Sequence, residues 1–339
     1  DFYYQILDLN NKKVASIGTL GIKTRKYKKN LSNTTIDPIQ LSKILNKLKK
    51  QNINNVIMEA SSHGLSQNRL DGLLFNTGIF TNLSQDHLDY HKNTKNYLKA
   101  KLYLFEKLIK KRGNIITDEQ IPEFKKIKDI ATNKNLNLFS LLDKKNDFQF
   151  LSHQYEGESQ LLEIKYKNSI HKIKLNLIGK VQFKNVLMAV IASIKSSINI
   201  KDILSVIPKI KSVEGRFEKV GKIKNNSKVI LDYAHTPDAL KTCLTNIKEQ
   251  FPGKKIKLLF GCGGNRDQNK RAKMGKIADL FSDKIYLTDD NPRLEQPSKI
   301  RKDIKKGIKK QKVLEFSNRA KAIAEAIKHL NTGEILLVA

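Results

Sequence analysis

The sequence predicts an α/β protein with two domains, each built around a mainly parallel β-sheet. Its 339 residues are more than a single hydrophobic core usually contains. Along most of the chain, short apolar runs alternate with longer amphipathic stretches, and this order is typical of parallel strands joined by covering helices. The alternation is interrupted once in the middle of the chain and then restarts, which indicates a second domain.

The first half of the chain supplies the first sheet. Its strands are short apolar runs that end in polar residues, and its long helix at 94–111 has apolar residues at helical spacing as far as Leu108 and Ile109. The predicted elements are the end of a helix at 1–8, strands at 13–18, 55–59 and 78–82, and helices at 38–51 and 94–111.

The middle of the chain has a different pattern. Between about residues 137 and 179 the apolar residues alternate over short segments, such as 161–166 and 171–177. Strict alternation is the pattern of half-buried antiparallel strands, so we expect hairpins here, followed by a helix at 181–196.

The alternation of strands and helices restarts after residue 213. We therefore predict domains at 1–211 and 212–339, the second one smaller and doubly wound. Its predicted elements are strands at 228–232, 255–261, 284–288 and 334–339, and helices at 238–250, 270–281, 297–307 and 318–330.

The formal net charge of +31 raises the possibility of a noncatalytic nucleic-acid-binding protein, which would bind DNA tightly and in a salt-sensitive way. The excess is nearly all Lys, however, and it is spread along the chain together with abundant Asn and Ile, as an AT-rich coding sequence produces. We therefore expect no nucleic-acid partner. A basic surface still raises the encounter rate with an anionic substrate.

The cysteine content and the apolar runs indicate the compartment. Cys243 and Cys262 are the only cysteines, and neither belongs to a CxxC motif or a Cys/His cluster. This pattern fits a reducing compartment rather than a disulfide framework. No apolar run approaches the roughly 20 residues that a membrane span needs, and no leader is recognisable. We expect a cytoplasmic protein with no membrane partner.

Polar segments follow several predicted strands. In an open α/β sheet, ligands bind at the carboxyl ends of the strands, so these segments are the candidate sites. They are MEASSHGLSQNR at 58–69, TNLSQDHLDYH at 81–91, GCGGNRDQNKR at 261–271 and DDNPR at 289–293.

Two of these segments indicate a metal site. Glu59 ends one strand and His87 follows the next, so we expect their side chains to lie within about 8 Å of each other, where they can share one divalent ion. The alternative is an exposed glutamate and an unrelated loop histidine. Lys101 lies on the predicted helix beside apolar positions; it either extends into water or is held at a site, modified or paired with metal and phosphate.

The other two segments suggest an amino-acid site. Gly261, Gly263 and Gly264 either allow a ligand to approach the backbone or simply form a tight turn. The DDNPR segment offers carboxylates for the ammonium of a zwitterion and a guanidinium for its carboxylate.

Taken together, the motifs resemble the MurE branch of the Mur ligase family over the whole chain. They occur in the order and spacing of that branch: IGTLG at 17–21, NTT at 33–35, MEASSHGLSQNR, FTNLSQDHLDYH at 80–91, VEGRFE at 213–218, DYAHTPDAL at 232–240, GCGGNRD and DNPR.

The resemblance implies a fold and a reaction. The fold is a parallel-sheet Mur ligase central domain followed by a smaller doubly wound α/β C-terminal domain that binds the amino acid. The reaction is the ATP- and Mg²⁺-dependent addition of meso-diaminopimelate to UDP-N-acetylmuramoyl-L-alanyl-D-glutamate through an acyl phosphate, by a monomeric enzyme of peptidoglycan precursor synthesis.

The resemblance also implies roles for individual residues. Glu59 and His87 bind Mg²⁺, and Lys101 is a catalytic carbamate that helps to organise the ion. Arg293 reads the second carboxylate that distinguishes diaminopimelate from lysine. The implied nucleotide-sugar site is Asn33, Thr34, Thr35, Ser61, Gln67 and Arg69; the ATP site is Asn185, Arg216, Asp232, Tyr233 and His235; and the amino-acid site is Arg266, Asp290, Asn291, Pro292 and Arg293.

The chain also departs from the family pattern. It contains no GxxxxGK[ST] motif, which the family would have immediately before Asp1, and no GKGHE-like segment, expected after Ala339; Val181 and Gln182 stand where the family more often has Phe-Asn. We therefore expect an internal fragment that does not turn over ATP alone. The alternatives are a natural inactive paralogue, a lysine-adding MurE and a folylpolyglutamate synthase type of ligase.

Overall fold

The structure, a computed structural model, describes residues 1–84, 86–221, 223, 226–310 and 313–339. It divides into two compact units. The first comprises residues 1–83, 91–176 and 183–210, and the second comprises 84–90, 177–182 and 211–339. The predicted domains at 1–211 and 212–339 stay a prediction.

The chain up to residue 210 contains eight helices and ten strands among its described residues. They are α1 (Phe2–Leu9), β1 (Val14–Gly18), β2 (Gly21–Thr24), β3 (Lys28–Lys29), α2 (Pro38–Lys50), β4 (Asn55–Met58), α3 (Ser62–Ser66), β5 (Phe75–Phe80), α4 (Leu88–His91), α5 (Thr94–Tyr103), a π-helical turn (Leu104–Leu108), β6 (Ile109–Thr117), α6 (Phe124–Asn133), β7 (Asn137–Ser140), β8 (Phe148–Glu156), β9 (Ser159–Tyr166), β10 (Ser169–Leu175), α7 (Lys180–Lys195), α8 (Ile200–Val206) and a 3₁₀ turn (Ile207–Lys209).

One sheet of the first unit is centred on β1. This strand pairs antiparallel with β2 and parallel with β4, in the order β3-β2-β1-β4. Helix α2 begins where the Asp37 carboxylate accepts a hydrogen bond from the Gln40 amide, and Pro38 occupies its first turn. Its Leu41 and Leu48 side chains are buried in the core of this sheet.

A second sheet of the first unit, β5-β6-β7, is parallel. Two predictions for this part of the chain were wrong. The helix expected to reach Lys111 ends as an α-helix at Tyr103, and β6 begins at Ile109, because the apolar pair Leu108 and Ile109 fits the spacing of either structure. The segment at 137–140 pairs parallel with β6 rather than joining the hairpins.

The third sheet of the first unit is antiparallel, as predicted, in the order β10-β9-β8. Its alternate residues Leu162 and Ile164 are buried, as the pattern of the sequence requires. Phe183 of α7 packs against this sheet, with its ring centroid 5.3 Å from that of Phe150.

The second unit is built on one six-stranded sheet in the order β11-β12-β16-β13-β14-β15. All of its pairs are parallel except β11 with β12. Its elements after residue 210 are β11 (Glu218–Lys219), β12 (Lys228–Leu231), α9 (Pro237–Gln250), β13 (Ile256–Phe260), α10 (Asn269–Phe281), β14 (Lys284–Thr288), α11 (Pro297–Lys305), β15 (Val313–Phe316), α12 (Arg319–Lys328) and β16 (Ile335–Val338).

Helices cover both faces of this sheet. Helices α9, α10 and α11 bury residues such as Leu244, Met274 and Ile304 against one face, and α12 buries Ala322 and Ala326 against the other. The prediction of an α/β fold with a doubly wound second sheet is confirmed, although the short strand β15 was not predicted.

In the described part of the chain, no helix combines the length and the apolar character that a membrane crossing requires.

Candidate active site

In the first unit, the ends of β1 and β4 bring Glu59 against the turn that follows β1. The two strands are parallel neighbours, with Ile17 opposite Met58, and the Glu59 amide continues the pairing by donating to the Ile17 carbonyl at 2.9 Å. A Cβ atom on Gly18 would lie 2.6 Å from the Glu59 Oε2 atom. Glycine at position 18 therefore makes room for this carboxylate.

The Glu59 carboxylate fits the prediction of a metal ligand. The Thr19 amide and the Thr19 hydroxyl both donate to its Oε2 atom, at 2.8 and 2.9 Å. Glu59 is exposed, and among the described residues both hydrogen bonds fall on the same oxygen, which leaves Oε1 for a cation. Carboxylate oxygens are ligands that Mg²⁺ prefers.

Four of the residues implied for the nucleotide sugar come together beside Glu59. The buried Thr35 hydroxyl donates to the Glu59 carbonyl and accepts from the Ser61 amide, both at 2.9 Å. Arg69 Nη1 donates to the Thr35 carbonyl at 2.6 Å, and the Thr34 hydroxyl lies 3.0 Å from that of Thr19. The other two implied residues, Asn33 and Gln67, are exposed in the same unit.

Ser61 and Gly64 shape the short helix that presents this group. The Ser61 hydroxyl accepts from the Gly64 amide at 3.1 Å and so caps α3. A Cβ atom on Gly64 would lie 2.5 Å from the Thr35 Cβ atom. The helix can approach Thr35 this closely only with glycine at position 64.

The Lys101 amine is directed to the segment that follows β5. Its Nζ atom donates to the Asn82 carbonyl at 3.1 Å and lies 5.5 and 5.2 Å from the ring centroids of Phe80 and Tyr97. Aromatic faces stabilise an ammonium group. The lysine is thus held at the carboxyl end of a strand, where a site residue belongs, and its modification to a carbamate stays a prediction.

In the second unit, the His235 ring contacts two acceptors. Its Nδ1 atom lies 2.9 Å from the Tyr233 carbonyl, and its Nε2 atom lies 3.2 Å from Asp86 Oδ2. Because a carbonyl and a carboxylate can only accept, both ring nitrogens must carry hydrogen for both bonds to form. The geometry therefore favours a charged imidazolium.

His235 and Asp86 each stabilise the charged form of the other. The hydrogen bond to Asp86 raises the pKa of His235 against the opposing effect of burial. Burial raises the pKa of Asp86, but the hydrogen bond from His235 and the charge of His87 outweigh it and lower that pKa to about 2.

His87 itself is exposed beside Asp86, with Nε2 3.5 Å from Asp86 Oδ2. Its φ of 54° places it in the left-handed region. Imidazole nitrogen suits transition metals better than Mg²⁺, so Glu59 fits the predicted ion better than His87 does. Glu59 and His87 belong to different units, and their predicted approach stays a prediction. Among the described residues, no three His, Cys, Asp or Glu side chains are grouped as a metal site.

Three of the residues implied for ATP lie together in the second unit. The Arg216 guanidinium lies 5.0 Å from the Tyr233 ring centroid, and the Tyr233 and His235 rings meet edge to face at 5.1 Å. Tyr233 is 65% exposed, so its ring is accessible to a ligand. Asn185 lies half-buried in α7, in the first unit.

Asp232 differs from these residues because its carboxylate is used inside the protein. Asp232 is buried, and its Oδ2 atom accepts from the Phe217 amide at 2.9 Å. Burial raises its pKa, although this hydrogen bond and one from Cys243 oppose the rise. Asp232 thereby fixes the backbone next to Arg216.

The loops after β13 and β14 carry the residues implied for the amino acid. The Gly264 amide donates to the Asn291 carbonyl at 2.9 Å, and Arg293 Nη1 donates to the Gly264 carbonyl at 2.7 Å. Cβ atoms on Gly263 and Gly264 would lie 2.8 Å from Arg293 Nη1 and 1.9 Å from the Pro292 carbonyl oxygen. The glycines therefore allow the two loops to approach each other.

The charged residues of these loops have different surroundings. Asp289 pairs with Arg301, whereas Asp290 is exposed. Arg266 pairs with Asp89 at 3.3 Å, with both side chains about half exposed. Such an exposed pair is weak, so Arg266 can exchange Asp89 for a ligand at little cost.

Sequence reasoning missed several residues that organise these sites. Thr19 stands in the IGTLG motif and Asp86 stands next to His87, so both were within reach of the motif analysis. Arg271 ends the segment at 261–271 and Glu295 lies two residues after Arg293, but the burial of Arg271 and its pairing with Glu295 are recognisable only from the structure.

Comparison with known proteins follows this geometry. The family described as Mur ligase middle domain matches residues 1–193, and the family described as Mur ligase, glutamate ligase domain, matches residues 215–339. The UDP-N-acetylmuramoyl-L-alanyl-D-glutamate--2,6-diaminopimelate ligase of Rickettsia montanensis is 38% identical over 99% of this chain and 70% of its own length. The ligase of the same name from Wigglesworthia glossinidia brevipalpis is 39% identical over 99% of this chain and 68% of its own length.

Solved structures agree with these matches. A structure of a UDP-N-acetylmuramoyl-L-alanyl-D-glutamate--2,6-diaminopimelate ligase superimposes with a TM-score of 0.70 and 28% identity, over 100% of this chain and 70% of that one. A folylpolyglutamate synthase of Mycobacterium tuberculosis has a TM-score of 0.75 over 99% of this chain and 84% of that one, but its 14% identity shows a shared fold alone.

Proposed function

The chain belongs to the Mur ligase family, and from that premise we propose that it performs the ATP-dependent addition of meso-diaminopimelate to UDP-N-acetylmuramoyl-L-alanyl-D-glutamate in the cytoplasm. The observation that carries this proposal is the similarity along the whole chain: relatives at 38 and 39% identity over 99% of it bear the name of that reaction. The arginine-bearing loops of the second unit add chemical support.

The reaction has two steps. The substrate's terminal carboxylate attacks the γ-phosphorus of ATP, which releases ADP and gives an acyl phosphate. The amine of diaminopimelate then attacks the acyl carbon, and the tetrahedral intermediate expels phosphate while the nitrogen loses a proton. Negative charge develops in both steps, so fixed cations and dipoles accelerate them.

Residues of the first unit suit the nucleotide-sugar substrate and its metal ion. Glu59 would hold Mg²⁺ through the oxygen that Thr19 leaves open. When bound, Mg²⁺ neutralises phosphate charge. Arg69 and the hydroxyls of Thr34 and Ser61 lie at the same strand ends and offer donors for phosphate or carboxylate oxygens.

Residues of the second unit suit the nucleotide and the amino acid. The His235 ring and the Arg216 guanidinium both lie close to the exposed Tyr233 ring, at 5.1 and 5.0 Å from its centroid. This arrangement offers cations for phosphate and an aromatic face for stacking. In the other loops, Arg293 would pair with the distal carboxylate of diaminopimelate and Asp290 with an ammonium group, and Arg266 would assist.

The test is an assay of phosphate release on the full-length gene product, because this chain spans about 70% of the length of its relatives. With ATP, Mg²⁺ and the UDP-muramoyl-dipeptide, we expect one phosphate per tripeptide formed with diaminopimelate. We expect kcat/KM with lysine to be at least roughly 30-fold lower than with diaminopimelate, since lysine leaves an arginine unpaired. We also expect no phosphate release after the metal is chelated. Preference for lysine, or for a folate substrate, would overturn the assignment, and so would salt-sensitive DNA binding without nucleotide-sugar affinity.

A further inference from the structure

Among the described residues of the second unit, Arg271 is the most deeply buried cation. It lies on α10 with 1% of its surface exposed, and its Nη2 atom donates to Glu295 Oε1 at 2.8 Å. Its Nη1 atom donates to Asp303 Oδ2 at 3.2 Å. A buried guanidinium needs such partners, because an uncompensated charge in the interior is expensive. The position of Glu295 is therefore set by a side chain that cannot move independently of α10.

Glu295 in turn contacts both loops of the implied amino-acid site. Its Oε1 atom also accepts from the Asn265 amide in the loop after β13, and its Oε2 atom lies 3.5 Å from Gln268 Nε2. Its own amide donates to the Pro292 carbonyl at 2.9 Å, which closes the turn that contains Arg293. One carboxylate thus joins the loop after β13 to the loop after β14.

Hydrophobic burial contributes little to the order of these loops. Leu294 is 94% exposed, and Asp290, Asn291 and Arg293 are exposed as well. Polar contacts hold the loops instead, for example the Leu294 amide donating to Asn265 Oδ1 at 2.9 Å. The Glu295–Arg271 contact is charge-assisted and partly buried, so it is stronger than the neutral contacts among them.

We propose that Glu295, held by Arg271, is a positioning residue that sets the place of Arg293 and thereby the preference for a diamino acid with a second carboxylate. This inference rests on the proposed function. Neither residue needs to touch the amino acid. Small errors in the place of a recognition group carry a large penalty in the transition state, so loosening the loops acts on specificity.

The test compares two variants, each of which neutralises one of the two carboxylates that pair with Arg271. Glu295→Gln keeps the size and an acceptor oxygen, but it removes the negative charge that pairs with Arg271 and strengthens the contact between the loops. Asp303→Asn is the matched control, because Asp303 holds the same guanidinium from α11 and makes its other ion pair with Lys306. Both variants are expected to lower the melting temperature.

Only Glu295→Gln is expected to change specificity. In the full-length enzyme it should raise the KM for diaminopimelate by roughly 10-fold and reduce the preference over lysine, with the KM for ATP unchanged within about twofold. Equal changes in both variants, or none in Glu295→Gln, would mean that the ion pairs only stabilise the fold.

A second measurement separates this inference from the proposed function. If the unaltered enzyme shows no activity that depends on diaminopimelate, the proposed function fails. Amide hydrogen exchange then still tests whether Glu295, held by Arg271, joins the two loops. The amides of Asn265 and Leu294 should exchange at least about 10-fold faster in Glu295→Gln and stay unchanged in Asp303→Asn. Unchanged exchange in Glu295→Gln would overturn the inference.

Discussion

The two units hold their polar loops by different means. In the first, hydroxyl and backbone groups of Thr19 and Thr35 fix the segment around Glu59, whose carboxylate remains exposed. In the second, guanidinium groups fix the loops: the buried Arg271 bridges Glu295 and Asp303, and the partly buried Arg301 bridges Asp289 and Glu315.

The difference shows which charges each unit reserves for ligands. Hydrogen bonds from neutral donors hold a carboxylate in place without cancelling its net charge. A buried ion pair holds a loop more firmly, but it consumes both charges and is costly when one partner is removed. The groups that donate to the Glu59 carboxylate in the first unit are therefore neutral; in the second unit, some charged residues are structural and others remain for recognition.

The largest expected effect tests a charge that is reserved for chemistry. In the full-length enzyme, Lys101→Ala should reduce kcat by more than about 100-fold, because it removes the group expected to carry the carbamate. Short carboxylates such as formate should restore part of the activity, since they replace the lost anion. The assay is phosphate release with and without added formate.

Lys99, which is exposed two residues away on α5, provides the control. Lys99→Ala should keep nearly full activity. A loss of activity in Lys101→Ala that no carboxylate restores would leave Lys101 with a structural role. Lys101 would then no longer count among the charges that are reserved for chemistry.

The next effect tests a charge reserved for recognition in the second unit. Arg293→Ala should lower kcat/KM for diaminopimelate by roughly 30- to 1000-fold, because a charge-assisted contact to the distal carboxylate is lost. The KM for ATP should stay nearly unchanged, and Lys299→Ala, at an exposed position nearby, should behave like the unaltered enzyme. An Arg293→Ala enzyme that keeps its full preference for diaminopimelate over lysine would show that the pocket lies elsewhere.

The smallest effect concerns the neutral bonds of the first unit. Thr35→Val removes a buried hydroxyl and leaves the Ser61 amide and the Glu59 carbonyl without it, which should lower the free energy of unfolding by about 1–3 kcal/mol. Urea denaturation should give the same loss in 0.05 M and 0.5 M NaCl (about 14 and 4 Å screening length), since no charge is involved. Thr35→Ser keeps the hydroxyl and should lose less. Unchanged stability in Thr35→Val would show that the two hydrogen bonds of the hydroxyl do not stabilise this segment.

The central strands of the six-stranded sheet in the second unit were predicted well because both of their faces are buried. Residues 256–260, for example, form a strand in which every residue is buried and all but Lys257 are apolar, and such a run has a distinct length. Strand β6 was not predicted, and its first residues were assigned to the preceding helix because Ile109 continues the helical spacing of α5. Strand β15 was missed because it lies at the edge of the sheet, where its residues are only partly buried.

The sequence predicted where the candidate site residues lie, but not which residues they contact. Glu59 and the DNPR segment follow strands, and strand ends are where an α/β sheet binds ligands. Their partners are distant in the chain: Thr19 is 40 residues from Glu59, and Asn265 is 30 residues from Glu295. Such contacts depend on loop conformations that local sequence does not determine.

The path of the chain after Lys101 contains no loop. Helix α5 passes into the π-helical turn Leu104–Leu108, and β6 begins at the next residue, Ile109. A helix advances about 100° per residue, so one residue gained or lost between Lys101 and Ile109 would turn the amine about a quarter of a circle away from the Asn82 carbonyl. Evolution and protein engineering can therefore vary the composition of this stretch more freely than its length.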